Sequence, residues 1–321
     1  MGVIGIGDKS YDLGKYENST RFVLVDASEV SRKIPFSCET SDESPVTLQS
    51  AQSLPSWNCI RTFRLYFECD FDLYTKRQSN VTNVVNYVTG MYNVVNTIFA
   101  NENLVSQISE IFVWTSIDPF ASNGNSSNYL TAFRAFRTVY NGDLAHLLRT
   151  RNTNLGGIAY LGTLCSSFFS YAFSNINNSY NNFPSYSWTI NVVTHEIGHN
   201  LGSPQTHACS WPGGAIDNCN TTEGGCATGP APINGGTIMS YCHLTSSGVN
   251  FNNGFGPLPG NLIRTSVANS VCLNVAANSS TIPLACLPTT SNPNNASNTG
   301  PTRVVLNTLD YYSRFENRRG V

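Results

Sequence analysis

From Arg61 onward the apolar residues change their period repeatedly, and that alternation restricts the possible folds more than any other feature of the chain. Phe63, Leu65 and Phe67 alternate with Arg64, Tyr66 and Glu68, which is strand periodicity. Across residues 80–99, Val81, Val84, Val85, Val88, Met91, Val94, Val95 and Ile98 recur at the spacing of an amphipathic helix. Ile108, Ile111, Val113 and Trp114 predict a strand over 105–115, with a helix over 129–140 and a strand over 143–148 to follow. Strands alternating with helices imply an α/β architecture, a largely parallel sheet with helices on its faces. Residues 157–162 and 171–176 read as further strands. Ile190, Val193, Ile197 and Leu201 predict a helix over 187–201 that Gly202 stops. Turn formers and cysteines dominate 203–286.

The flanks differ. Residues 1–58 are polar and turn-rich, with Ser41-Asp42-Glu43-Ser44-Pro45 and Pro55, and read as a propeptide remnant and linker. Residues 276–321 are rich in Ser, Asn, Thr and Pro and read as a linker and tail, leaving 59–275 as the main domain. The opening residues have neither the basic flank nor the apolar core of a signal peptide, so the chain reads as a piece of a longer precursor.

A net charge of -2 with only 12% charged residues supplies no basic face for nucleic acid or an acidic membrane. No stretch approaches the roughly 20 apolar residues of a membrane span. Most of the 10 cysteines crowd between Cys165 and Cys286, a pattern of disulfides formed outside the cytosol. A secreted, monomeric protein is expected.

The chemistry concentrates in Thr194-His195-Glu196-Ile197-Gly198-His199-Asn200-Leu201-Gly202. Residues four apart on a helix share a face one turn apart, so His195 and His199 can reach one tetrahedral zinc while Glu196 projects beside it. Glu196 can then take a proton from water that the metal acidifies and pass it to the leaving amine.

This motif with its trailing glycine, and Thr237-Ile238-Met239-Ser240-Tyr241 some forty residues on, resemble the metzincin metalloproteases. The run Gly157-Ile158-Ala159-Tyr160-Leu161-Gly162 followed by Cys165 is similar to the substrate-lining edge strand of the adamalysin (reprolysin) branch. Asp143 to Leu148 is similar to the strand before it. The resemblance implies a mixed five-stranded twisted sheet, an active-site helix and a small irregular, disulfide-rich lower subdomain. A protein or peptide substrate would add to Gly157, Ile158, Ala159 and Tyr160 by main-chain hydrogen bonds, although Gly157 and Gly162 read equally well as turns at the strand ends. Met239 would form the methionine turn under the metal. Tyr241 would ligate zinc, steady the oxyanion or serve as a buried structural tyrosine. The third histidine of the metzincin pattern is Gln205 here, with His207 two residues on. Either Gln205 completes the site through its amide oxygen, a poorer ligand than imidazole, or His207 swings in, or the chain is a weakened or inactive binding module. Calcium is compatible with such a protein, but no ligand loop is legible.

Cys165 and Cys272 match positions joined in adamalysins. The remaining expectations are Cys219 with Cys226, Cys209 with Cys242 and Cys59 with Cys69. Cys38 lies where related zymogens carry a cysteine whose thiolate fills the open zinc position; its alternative is a disulfide with Cys286.

Overall fold

In a computed structural model of the chain, the described residues are 38–40, 61–120, 124–150 and 155–275, together with the backbone of short strands before and after them. Ahead of the main body, β1 (Gly2–Ile6), β2 (Lys9–Lys15) and β3 (Phe22–Asp26) pair as an antiparallel meander, where the sequence suggested only a turn-rich segment.

The main body begins with β4 (Arg61–Cys69), α1 (Phe71–Lys76), α2 (Val81–Asn101) and β5 (Val105–Val113). Next come α3 (Ser126–Phe136), β6 (Leu144–Arg149), β7 (Gly157–Ala159), β8 (Tyr171–Asn175), α4 (Trp188–Asn200) and α5 (Pro257–Asn269). The sheet runs β5-β4-β6-β8-β7, the mixed five strands expected, with two short additions: β9 (Asn274–Val275) on β4 and β10 (Arg303–Val305) on β5. The pairs β4/β5, β4/β6 and β6/β8 are parallel, whereas β7 runs antiparallel to β8 with Ile158 opposite Phe173. The strand that closes one edge is therefore short and reversed.

Two apolar layers hold the sheet, and the two-residue period of β4 feeds both. Phe63, Leu65, Phe67 and Cys69 pack with α2 and α4, while Tyr66 on the opposite face joins Tyr129, Phe133, Tyr140, Tyr171 and Phe173 around α3. Helix α2 starts where Asn80 accepts the Asn83 N–H at 3.2 Å. The predicted helix over 129–140 lies three residues earlier, because Asn125 caps it by accepting the Asn128 N–H at 2.8 Å. It ends at Arg137, whose guanidinium leaves to pair with the buried Glu68 at 2.6 Å. Helix α5 escaped the sequence reading because its buried apolar side chains, Pro259, Ile263 and Val267, are too sparse to mark a period. No helix among the described residues is long and apolar enough to cross a membrane.

Three disulfides join described residues. Cys165–Cys272 forms as expected, but the other two partners are exchanged: Cys209 pairs with Cys226 and Cys219 with Cys242. The cause is local backbone pairing. Glu223 donates its N–H to His207 and accepts that of Cys209, which lays Cys209 beside Cys226 rather than near Cys242. Cys69 is a free thiol, so the bridge to Cys59 does not form. Its place in the strand puts it on the core face with Phe67. Cys38 is free as well, which removes the alternative of a bridge to Cys286; Cys59 and Cys286 lie outside the described residues.

Candidate metal centre

Helix α4 is buried along all 13 of its residues, so its polar side chains must find partners inside the protein. Trp188 anchors the start by donating its indole N–H to the Asn175 carbonyl at 2.9 Å. Near the other end, the Asn200 amide donates to the carbonyls of Tyr160 at 2.9 Å and Tyr171 at 3.0 Å, stapling the helix to the edge-strand region. Gly202 leaves the helix at φ 109, and Ser203 follows with its N–H on the Gly198 carbonyl at 3.0 Å.

That turn orients the second histidine. His199 Nδ1 lies 2.7 Å from the Ser203 carbonyl, and His195 Nδ1 lies 2.7 Å from the Ile238 carbonyl of the methionine turn. Since a carbonyl only accepts, both Nδ1 atoms carry the proton and both Nε2 atoms present lone pairs. The two Nε2 atoms stand 3.1 Å apart, close to the roughly 3.3 Å that two nitrogens at ordinary zinc distances span in a tetrahedron. Burial pushes the His195 pKa down to about 4 and that of His199 well below its ordinary value, which keeps both rings neutral. Met239 lies beneath them. A Cβ on Gly198 would come within 2.6 Å of Met239 Sδ and 2.8 Å of Phe255 Cε1, so the absence of a side chain there lets the methionine turn close on the helix.

Gln205, wholly buried, completes the group, with Nε2 3.0 Å from His199 Nε2. Turning its terminal amide over would present the oxygen there instead. His207 is held elsewhere. Its Nε2 meets Glu223 Oε1 at 3.3 Å and Asn220 Nδ2 at 3.2 Å, and its ring packs on Tyr241 at 4.8 Å. The register that puts Gln205 rather than His207 at the centre is pinned by Thr206, whose N–H bonds to the Met239 carbonyl at 3.2 Å.

Glu196 faces β7. A Cβ on Gly157 would fall 2.3 Å from Glu196 Oε1, so Gly157 has a reason beyond turn geometry: the carboxylate occupies the space of its missing side chain. Glu196 Oε1 is buried without a hydrogen-bond partner, and burial raises the group's pKa to about 8.

The described residues Cys38, Glu39 and Thr40 lie across this face. Cys38 Sγ, His195 and His199 offer three ligand atoms that all lie within 4.8 Å of one another. The same thiol and the Thr40 hydroxyl each reach Glu196 Oε2 at 3.4 Å. Thr40 Oγ1 also accepts the Ala159 N–H at 2.9 Å, Glu39 donates its N–H to the Gly157 carbonyl at 3.0 Å, and Tyr241 donates its hydroxyl to the Cys38 carbonyl at 2.5 Å. Ile158 lies between these two contacts on β7, while Tyr160, past the strand end, packs against Phe169 at 5.1 Å. Sequence reasoning missed Glu39 and Thr40; nothing in their type or spacing marks them.

A model of the Metallo-peptidase family M12 matches residues 60–252. The chain belongs to this family. A "Zinc metalloproteinase/disintegrin" of Gloydius halys is 29% identical over 150 residues, covering 44% of this chain and 30% of that protein. The matched segment thus spans less than a third of that relative's length. Among solved structures, a chain from "Structure of a chaperone-substrate complex" aligns at 14% identity and a TM-score of 0.42, over 64% of this chain and 34% of that one. The reprolysin-like metzincin resemblance in the sequence therefore stands. Two imidazoles with fixed tautomers, an amide and a thiol converge in this buried site, donors of the kind that suit zinc.

Proposed function

We propose that this M12 chain is a secreted zinc-dependent endopeptidase, with residues 59–275 as its catalytic unit, present in a self-blocked form. The observation that carries the reading is the convergence of His195 and His199 Nε2 beside a buried carboxylate with an unpartnered oxygen. Zinc would be held by His195, His199 and the Gln205 amide oxygen, and would supply Lewis acidity toward water and the scissile carbonyl.

Glu196 is the proton carrier. Its buried carboxylate, beside the two imidazoles and with Oε1 free of any hydrogen bond, can accept a proton from the attacking water and return it to the leaving nitrogen. The backbone of Gly157, Ile158 and Ala159, with Tyr160 beyond it, aligns an extended protein or peptide substrate. Tyr241, which donates to the Cys38 carbonyl here, can donate to a substrate carbonyl in its place. Met239 supports the histidines from below.

Cys38 and Thr40 together block this machinery, the thiol over the histidines and the hydroxyl on Glu196. Displacing the segment is therefore the activating event, in the manner of a zymogen. Casein cleavage tests the reading. The full chain treated with a thiol-modifying reagent should cleave, a chelator should abolish cleavage, and Glu196→Gln should lower kcat by a factor on the order of 10² to 10⁴. Cleavage that survives the chelator, or matches wild type in E196Q, refutes it. Gln205→His should raise zinc affinity; if neither affinity nor turnover rises, Gln205 is not at the third-ligand position and the inactive-module reading gains ground.

A further inference from the structure

One contact of the blocking segment has nothing to do with metal or base. Glu39 sends its carboxylate to the start of α3, where Oε1 accepts from Ser126 Oγ at 3.1 Å and Oε2 accepts the Ser127 N–H at 3.2 Å. Ser126 is completely buried, and its hydroxyl points at this carboxylate. Helix α3 has 11 residues and none in its first turn is acidic, so its own sequence does not answer the partial positive charge of the helix end. Asn125 already serves Asn128, which leaves the Ser127 N–H for a group from outside the helix. Meanwhile the Glu39 backbone rides on β7 through the Gly157 carbonyl. The segment thus lies in the cleft with its main chain on the edge strand and an acidic side chain in a hydrogen-bonding recess.

We propose that this recess is a substrate subsite: Ser126 Oγ and Ser127 N–H select peptides with an acidic side chain next to the residue lying over the metal centre. Glu39 fills the recess while the chain blocks itself. The inference rests on the endopeptidase reading and names the substrate class of that same cleft. A carboxylate answers two donors with two acceptors. The amide of Gln would turn its NH2 toward one of them, so discrimination against the isostere follows from the donor pattern. Glu39 is itself exposed, so the recess opens to solvent and a peptide side chain can enter it.

Two measurements on the full chain test this. The first needs no turnover: the rate at which a maleimide labels Cys38, located by peptide mass mapping, with the wholly buried Cys69 as internal reference. Glu39→Gln and Ser126→Ala should each raise the rate roughly tenfold, the worth of one charge-assisted hydrogen bond, and the double variant should label no faster than either single one. Unchanged single-variant rates, or additive effects, overturn the carboxylate recess. The second compares peptides that differ only in Glu against Gln beside the scissile bond, cleaved by the zinc-loaded Cys38→Ala/Glu39→Ala/Thr40→Ala chain, which lacks the thiol, carboxylate and hydroxyl that fill the cleft. The Glu peptide should lead by about tenfold in kcat/KM, and Ser126→Ala should bring that ratio toward one. Equal cleavage of both peptides rejects the subsite and leaves the endopeptidase standing. Cleavage of neither, with zinc bound, rejects the endopeptidase reading and the subsite with it.

Discussion

Gly157 and Gly198 have no side chains, and both shape the centre by that lack. An alanine at 157 would push its Cβ into Glu196, 2.3 Å from Oε1. A misplacement on that scale costs about 10²-fold in rate. Gly157→Ala should therefore lower kcat/KM about a hundredfold while zinc content stays at the wild-type level, and equal turnover would show that Glu196 is not positioned by this packing. At 198 the collision is with Met239 and Phe255, so Gly198→Ala should destabilise the fold by about 1–3 kcal/mol in urea titrations despite alanine's better helix propensity. His146 tests a different term. It is wholly buried on β6 with Nε2 2.8 Å from Ser174 Oγ, and burial lowers its pKa from 6.5 to about 3. Above pH 6.5 both folded and unfolded chains hold it neutral. Below that value the unfolded chain takes up a proton that the native one refuses, so stability drains as pH falls toward 3. By about pH 4.5 this amounts to about 2–3 kcal/mol, and His146→Gln should remove that part of the wild-type pH slope. Parallel slopes would show that the ring is protonated in the fold. At this scale the sequence was legible where helical spacing alone brings side chains together, as with His195 and His199. It was silent where a role depends on what another segment places opposite, as with Thr40, Glu39 and the neighbour of Gly157.

Among the elements, those with a full apolar period were readable before any coordinates. Strand β4, helix α2 and helix α4, which carries the histidine pair, fall within two residues of their predicted ends. The boundaries that shifted did so for side-chain reasons: Asn125 starts α3 early, and β7 stops at Ala159 because Tyr160 and the residues after it turn back onto α4 through Gly162, whose N–H meets the His199 carbonyl at 2.8 Å. Disulfide partners were the least legible, since backbone pairing between 207–209 and 223 decides them and no periodicity announces it. The Cys165–Cys272 bridge ties the loop after β7 to the end of α5 across 107 residues of chain. Replacing both cysteines with alanine should cost about 2–5 kcal/mol of unfolding free energy, with the chain still folded at room temperature. A denaturation midpoint that does not move would mean that packing between these segments suffices without the bridge.

Over the whole molecule, one sheet with a helical layer on each face presents a reversed edge strand beside a buried helix, and the centre forms where that helix meets the methionine turn. Each of the three parts of the arrangement is incomplete alone. The helix supplies imidazoles and carboxylate, the lower segment supplies the Ile238 and Ser203 carbonyls that fix the tautomers, and the edge strand supplies Gly157. The proposed role that unites them is the binding of a single ion. Metal analysis after exhaustive dialysis against buffer with a small excess of zinc reads it directly. The account predicts a single zinc per chain in the wild type and its loss in both His195→Ala and His199→Ala. A wild-type chain that retains no zinc, or variants that retain as much as the wild type, would contradict it.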